Sequence, residues 1–386
     1  MTPLYASRVA EALARKGGAF EASERDMRED LALLQEALLV MGRLSRQEVE
    51  ARIAGIDRPG ARPTEEQDTR PLIIPFETRW PDHRQAREWA LNTLVGITTF
   101  AVDGSQIFPN RDMSMPVGLV QVGWFENPHD VAGTYTKDVQ VEVLTPAELL
   151  QAVEAGYAEH EVEWRRFVGE VRRLKEFMEA RKGGPALAFL DGSLILSFVH
   201  TMRESRQRDY IAQVVDLLQC SERTGVPVIG YIDSSLAADL TTLLHHAAGY
   251  RGGRVGDATA VRRRMQWGDR TRWYVCSRDD EVVDSGYYER VLFTYLKTTR
   301  DYPPARVEMP AWVFEQGRHE WVLDVVRAEC IVGVGYPYPL ETADAVAVLS
   351  MQDRERFYRL FQAFASERGI SVRFSRKLVS KRGRRV

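Results

Sequence analysis

Between Ile97 and Asp233 the apolar segments come in an order that few folds accept. "ITTFAVD" (97–103), "PVGLVQVGWF" (116–125) and "KDVQVEVL" (137–144) follow one another at hairpin distance, and the second alternates apolar with small or polar residues as a half-buried strand does. A long helical stretch comes next, "TPAELLQAVEAGYAEHEVEWRRFVGEVRRLKEFMEARKGG". Its Thr-x-x-Glu start is a capping box and its Gly-Gly end a stop, so it is one long helix or a broken pair. "ALAFLD" (186–191) is then a continuous apolar strand of the kind covered on both faces. A helix through "RDYIAQVVDLLQCSERTG" and the strand "VPVIGYID" (226–233) complete a strand–helix–strand crossover.

Three hairpin-connected strands, a helix, and parallel strands separated by helices is the order of a ribonuclease H-like α/β mixed sheet. It is not that of a doubly wound nucleotide-binding sheet, and the chain contains neither GxGxxG after a first strand nor GxxxxGK[ST]. The remaining chain divides by composition. Residues 1–57 read as a helical N-terminal extension, with Met27, Leu31, Leu34, Leu38 and Met41 spaced three to four apart. "RPGARPTEEQDTRP" (58–71) breaks periodicity with proline, glycine and charge, so 58–83 is expected as a linker. Residues 84–375 then form the main domain, and 376–386 a basic C-terminal tail.

No stretch approaches the ~20 apolar residues needed to cross a bilayer, and the N-terminus has no secretory signal, so no membrane partner is expected. Cys220, Cys276 and Cys330 are widely spaced and odd in number. They fit neither a disulfide framework nor a zinc site, and suggest a cytoplasmic protein. The net charge of −3 advertises no polyanionic partner, but the charge is uneven. Val372–Val386 holds seven Arg or Lys and no acid, and "RRRMQWGDRTRW" (262–273) adds Arg262, Arg263 and Arg264 beside Trp267 and Trp273. Such patches hold phosphates or are ordinary solvated surface.

Two of the strands carry Asp-Gly-Ser: "FAVDGSQI" (100–107) and "FLDGSLIL" (189–196). An Asp closing a central strand stands at the carboxyl edge of the sheet, where α/β proteins bind ligands. The Gly frees the turn and lets a ligand approach the backbone. Neighbouring strands would bring Asp103 and Asp191 together, and two such carboxylates repel unless a hard divalent cation lies between them. Asp-Gly is also a common turn dipeptide, so either string alone reads as a turn. Among the acids of the long helix, Glu161, Glu163, Glu170, Glu176 and Glu179, Glu170 is chosen for its basic neighbours Arg165, Arg166, Arg172 and Arg173. Asp344 begins a helix after "GYPYPL", as a cap or as a further ligand. His245 and His246 are read as ordinary helix residues.

The paired "VDGSQ" and "LDGSL" strings, the "YLKT…PARVEMPAWV" segment and the "GYPYPL…A" helix start together resemble the NurA nuclease family, in order, from about Ala90 to Phe364. The resemblance implies a manganese-dependent deoxyribonuclease of the 5′–3′ exonuclease and single-strand endonuclease type. It would act on single-stranded or duplex DNA ends in double-strand-break repair, as a homodimer beside a HerA-type hexameric ATP-driven translocase. Asp103 and Asp191 match the family's metal-binding aspartates, and Lys297 a lysine in the strand before "PAR-E-P". Many members carry histidine where this chain has Asp344; both residue types ligate divalent ions. Where many carry a lysine, "GYIDSS" offers Asp233, either a further acid or the cap of a helix expected from Ser234.

The expected mechanism is two-metal hydrolysis with Mn²⁺ (or Mg²⁺), the ions roughly 4 Å apart. Asp103 and Asp191 would flank them, and Glu170 and Asp344 complete the ligand set. Ser105, Ser193, Lys297 and the Arg262–Arg264 run would hold DNA, with Trp267 and Trp273 as stacking platforms. Two rival readings remain: a non-catalytic DNA-end scaffold of the translocase complex, and a metal-dependent hydrolase of small phosphorylated molecules.

Overall fold

The computed structural model describes residues 4–110, 113–151, 158–253, 255–278 and 287–373. The chain forms two compact units, Met1–Arg79 with Ile232–Val307 and Trp80–Tyr231 with Glu308–Val386.

The first unit begins with α1 (Ala6–Arg15), α2 (Gly17–Arg43) and α3 (Arg46–Ile53), the last opened by a capping box of Ser45 and Glu48. In α2 the inward stripe is Leu34, Ala37, Leu38 and Met41, whereas Met27 is 55% exposed. The segment expected as a linker is structured: it holds β1 (Gly60–Pro63), α4 (Glu66–Thr69) and β2 (Ile73–Ile74). Its charge is buried in pairs. Glu66 accepts from both terminal nitrogens of Arg270, at 2.9 and 2.6 Å, and from the Trp273 amide at 2.8 Å. Pro63 is accommodated because, among the described residues, β1 pairs with β9 alone and forms the end of the sheet.

Later parts of the chain complete this unit: α9 (Asp239–Ala247), α10 (Asp257–Val261), β8 (Arg270–Thr271), β9 (Tyr274–Ser277), β10 (Val291–Leu296) and the first half of β11 (Ala305–Pro310). β9 runs antiparallel to both β1 and β10. No helix starts at Ser234: residues 233–234 form a turn and α9 begins at Asp239, so Asp233 caps no helix.

The second unit contains the sheet anticipated from strand order. β3 (Thr98–Ile107), β4 (Gly118–Asn127) and β5 (Thr136–Leu144) form an antiparallel meander. β6 (Ala186–Asp191) lies parallel to β3, and β7 (Val228–Ile232) parallel to β6. The resulting order β5-β4-β3-β6-β7 is that of a ribonuclease H-like sheet, with β3 at its centre.

The expected long helix is described as α6 (Pro146–Gln151) and α7 (Ala158–Ala180). α7 lays Val171, Leu174, Phe177 and Met178 on the sheet, with the Phe177 ring stacked on Phe100 at 4.4 Å. α8 (Glu204–Thr224) is the β6–β7 crossover and ends on Gly225 in the left-handed region. α5 (His83–Leu94), α11 (Ala311–Glu315), α12 (His319–Val332), α13 (Tyr338–Ala347) and α14 (Met351–Glu367) complete the unit. The basic tail falls outside the described residues from position 374 on. Among the described residues no helix is long and apolar enough to cross a membrane.

Candidate metal centre

β3 does not stop at its aspartate. Its pairing with β4 continues through Asp103↔Gly123, Gly104↔Val122 and Ser105↔Gln121 to Ile107, while its parallel pairing with β6 ends at Val102↔Leu190. Asp103 therefore sits mid-strand, beside the point where β6 terminates in Asp191. Neighbouring strands are about 4.8 Å apart, and parallel partners point to one face, so the two carboxylates stand side by side.

Alternation along β3 assigns each residue of Asp-Gly-Ser a direction. Asp103 and Ser105 face α13. Position 123, the register partner of Asp103, has no room for a side chain there: a Cβ would lie 2.8 Å from the Ala347 nitrogen. Ser105 Oγ accepts from the Leu349 amide at 3.2 Å, and Gln121 donates to the Ala347 carbonyl at 2.9 Å. These contacts seat the end of α13 on the sheet and bring Asp344, one turn earlier, within electrostatic reach of Asp103.

Gly104 faces α7. A Cβ there would lie 2.3 Å from Glu170 Oε1 and 2.5 Å from Arg166 Cγ. The missing side chain is what admits the Glu170 carboxylate to the backbone beside Asp103. Its φ is ordinary, so Gly104 supplies space; Gly192, at φ +127 after β6, supplies conformation. The same tripeptide thus does two different physical tasks.

The electrostatics follow from this crowding. Burial, reinforced by Asp191 and Asp344, pushes Asp103 up to about 6, against the pull of the Gly104 amide and Arg166. Burial likewise pushes Glu170 up to about 7; Asp103 and Asp191 add to it, and the Arg166 ion pair opposes it. Tyr336, from the turn before α13, donates its hydroxyl to Asp191 Oδ1 at 2.7 Å. Asp103 feels the repulsion of Asp191 and Asp344, and Glu170 that of Asp103 and Asp191, while Arg166 pairs with Glu170. Oxygen donors of this kind suit a hard divalent ion, although among the described residues no three of these four carboxylates bring oxygens within 4.8 Å of one another.

The other singled-out residues are placed elsewhere or otherwise occupied. Ser193 Oγ lies 2.8 Å from both Glu308 Oε2 and the Ile195 carbonyl, and Glu308 also accepts the Leu194 amide, so this serine shapes the loop after β6. Lys297 belongs to the first unit, is 3% exposed and donates to the Tyr302 carbonyl. Arg262 and Arg263 are exposed in the first unit; Arg262 donates to the Asp301 carbonyl, and Arg264 is bound to Gln35. Trp273 is 0% exposed and is a core residue, not a stacking platform. Trp267 is half-buried, with Arg300 over its ring at 5.3 Å. Arg166, Glu308 and Tyr336 all lie in segments singled out from sequence, but their contacts at the site, to Glu170, Ser193 and Asp191, came only with the fold.

The sequence profile of the NurA domain matches residues 97–349, which spans β3 to the end of α13 and includes all four carboxylates. The chain belongs to the NurA family. No curated protein sequence matches it significantly. Among solved structures, a NurA crystal structure with manganese is similar at 9% identity and a TM-score of 0.40, over 74% of this chain and 94% of that one. A NurA structure bound to dAMP and manganese is similar at 9% identity and 0.36, over 69% and 88%. The catalytic domain of human endonuclease V is similar at 12% identity and 0.34, over 75% and 92%.

Proposed function

We propose that this NurA chain is a metal-dependent deoxyribonuclease that hydrolyses phosphodiester bonds at DNA ends. The observation that supports the reading is the electrostatic coupling of Asp103 to Asp191 and Asp344 on a ribonuclease H-like sheet, with Glu170 admitted beside Asp103 by Gly104. Asp103, Asp191, Glu170 and Asp344 would hold the cations, Mn²⁺ or Mg²⁺, two per site. When bound, these would supply the Lewis acidity that readies water for attack and steadies the leaving oxygen. The chain's own part is positional. The β3–β4 ladder fixes Asp103, Tyr336 orients Asp191, and Arg166 holds Glu170 while offering positive charge to a phosphate.

Action with a HerA-type translocase in double-strand-break end resection, homodimerisation, a 5′–3′ direction and DNA contacts by Lys297 and the Arg262–Arg264 run are parts of this proposal that rest on the family resemblance. The test is incubation of end-labelled single-stranded and duplex DNA with Mn²⁺, Mg²⁺ or EDTA, for the native chain and Asp103→Asn. Metal-dependent loss of DNA, abolished by the substitution, is expected. DNA binding without cleavage under every metal would refute the activity in favour of a scaffold, and cleavage indifferent to Asp103→Asn would refute the site.

A further inference from the structure

α14 is held to its unit along one edge. Arg354 donates to the Gln106 carbonyl, Tyr358 donates its hydroxyl to the Phe108 carbonyl, and of the helix's 17 residues only Ala365 is buried. Yet the helix is amphipathic. Phe357, Leu360, Phe361 and Phe364 recur three and four apart, the spacing of one continuous stripe. Leu360 is 63% exposed and Phe364 48%, while Phe357 and Phe361 are half-buried. A contiguous apolar stripe rimmed by charge costs free energy in water and marks a surface that another element covers.

The rim charges identify the cover, because the helix is chemically alike from both ends. Turned end for end about a point between Leu360 and Phe361, it sets Phe357 opposite Phe364 and Leu360 opposite Phe361, so the stripe meets itself. Asp353, which also closes the capping box with Ser350, falls opposite Arg368. On one flank of the stripe, Arg356 comes within two positions of Glu367, about 3 Å along the axis. Both juxtapositions join opposite charges, and two-fold symmetry makes each occur twice. Arg354, on the other flank, is turned to its own chain by the Gln106 carbonyl. An isologous contact requires this property, one patch complementary to its own copy.

We propose that α14 is the contact surface for a second copy of this chain, the two helices packed antiparallel about a two-fold axis between Leu360 and Phe361. α14 thereby gives the homodimer proposed above, which rests on the family resemblance alone, a surface built from this chain's own residues. Two helices about 25 Å long bury less than the ~1,600 Å² of a standard interface, so the contact is reversible and depends on concentration.

Sedimentation velocity of the full chain across a concentration series reads this contact. A monomer–dimer equilibrium is expected for the native chain. Leu360→Glu with Phe364→Glu, both at exposed positions, is expected to weaken it about a hundredfold with retained far-ultraviolet circular dichroism. Arg356→Glu and Glu367→Arg are each expected to weaken it, and the two in one chain to restore it, which a structural role within the monomer would not do. Because Cys220, Cys276 and Cys330 are buried, one introduced thiol reports the register. Leu360→Cys, beside the axis, is expected to give a disulfide-linked dimer under mild oxidation, and Met351→Cys, likewise exposed but far from the axis, is not. A dimer that survives every one of these changes and does not cross-link through position 360 overturns the α14 surface and leaves homodimerisation standing. A native chain that stays monomeric at every concentration overturns both. A position-360 thiol shielded from maleimide in a monomer until residues 374–386 are removed assigns the stripe to the chain's own tail and overturns the second copy.

Discussion

Gly104 and Glu170 occupy one space: a methyl at position 104 would stand 2.3 Å from the Glu170 carboxylate oxygen. The colliding atoms are Glu170 Oε1, at the end of its side chain, and Arg166 Cγ and Cδ, part-way along a side chain whose head is paired with Glu170. Gly104→Ala is therefore expected to cost about 1–3 kcal/mol of stability, the range for overpacking. Metal-dependent cleavage is expected to fall at least tenfold. Paired measurement of melting temperature and DNA cleavage checks this, and a collapse of stability with activity per folded molecule unchanged would contradict it.

The clustered carboxylates predict a cation-dependent stability. At a cation concentration 100 times its dissociation constant, the native chain should gain about 2.7 kcal/mol, read as a rise of several degrees in melting temperature with Mn²⁺. Asp103→Asn removes both a proposed ligand and the repulsion exerted on it by Asp191 and Asp344. Its metal-free melting temperature should equal or exceed that of the native chain, and its response to Mn²⁺ should vanish. Differential scanning calorimetry with and without EDTA distinguishes the two.

Asp344→His should retain metal-dependent cleavage, because imidazole also ligates divalent ions, while shifting preference from Mg²⁺ toward Mn²⁺ and Co²⁺. Asp344→Ala should lose at least tenfold under all three. Rates measured across the metal series read the difference directly. An Asp344→Ala chain as active as the native one would reassign this residue to the helix alone.

A buried pair away from the centre makes stability depend on pH. Glu329 is 0% exposed, and burial pushes it up to about 8 against the counter-effect of Thr99. Burial pushes the facing His129 down, its Nδ1 lies 2.7 Å from the Ile97 carbonyl, and its Nε2 lies 3.4 Å from Glu329 Oε1. Burial thus favours the neutral form of both groups. A carboxyl raised from its usual 4.5 to about 8 in the folded state binds its proton there more tightly than in the unfolded chain. Its contribution to stability is complete below pH 4.5 and is lost as pH rises to about 8, at most about 5 kcal/mol. Because His129, pushed down by burial, contributes the opposite slope below its usual 6.5, urea unfolding between pH 6.5 and 8.5 should show that decline, and Glu329→Gln should flatten it there.

How far these relationships could be read from sequence depends on what each needed. The sheet was legible because its signal is periodic and local: three alternating runs, a helix and two solid apolar runs permit few orders. The end of β3 was misread for a physical reason. Asp-Gly has the composition of a turn, but whether a strand stops is decided by its neighbour, and β4 continues to bond β3 as far as Ile107. The region around residues 58–71 looked solvated because proline and charge usually are, until Arg270, more than 200 positions away, supplied the partner that buries Glu66. Tyr336 was invisible for the same reason: within "GYPYPL" it is one more rigid-turn residue, and only folding lays its hydroxyl on Asp191.

The uneven termination of β3 and β6 has a mechanical consequence. Asp103 is carried on a continuous backbone ladder on both sides of its own position. Asp191 ends its strand, is followed by a glycine at φ +127, and is steadied by a tyrosine from another part of the chain. Asp191 is tied on its far side to β7, in register with Tyr231, and the next amide, Gly192, donates to the Tyr231 carbonyl. The two carboxylates thus hang from opposite ladders, Asp103 from the β4 side and Asp191 from the β7 side, and the turn bearing Tyr336 is the tie that steadies the second.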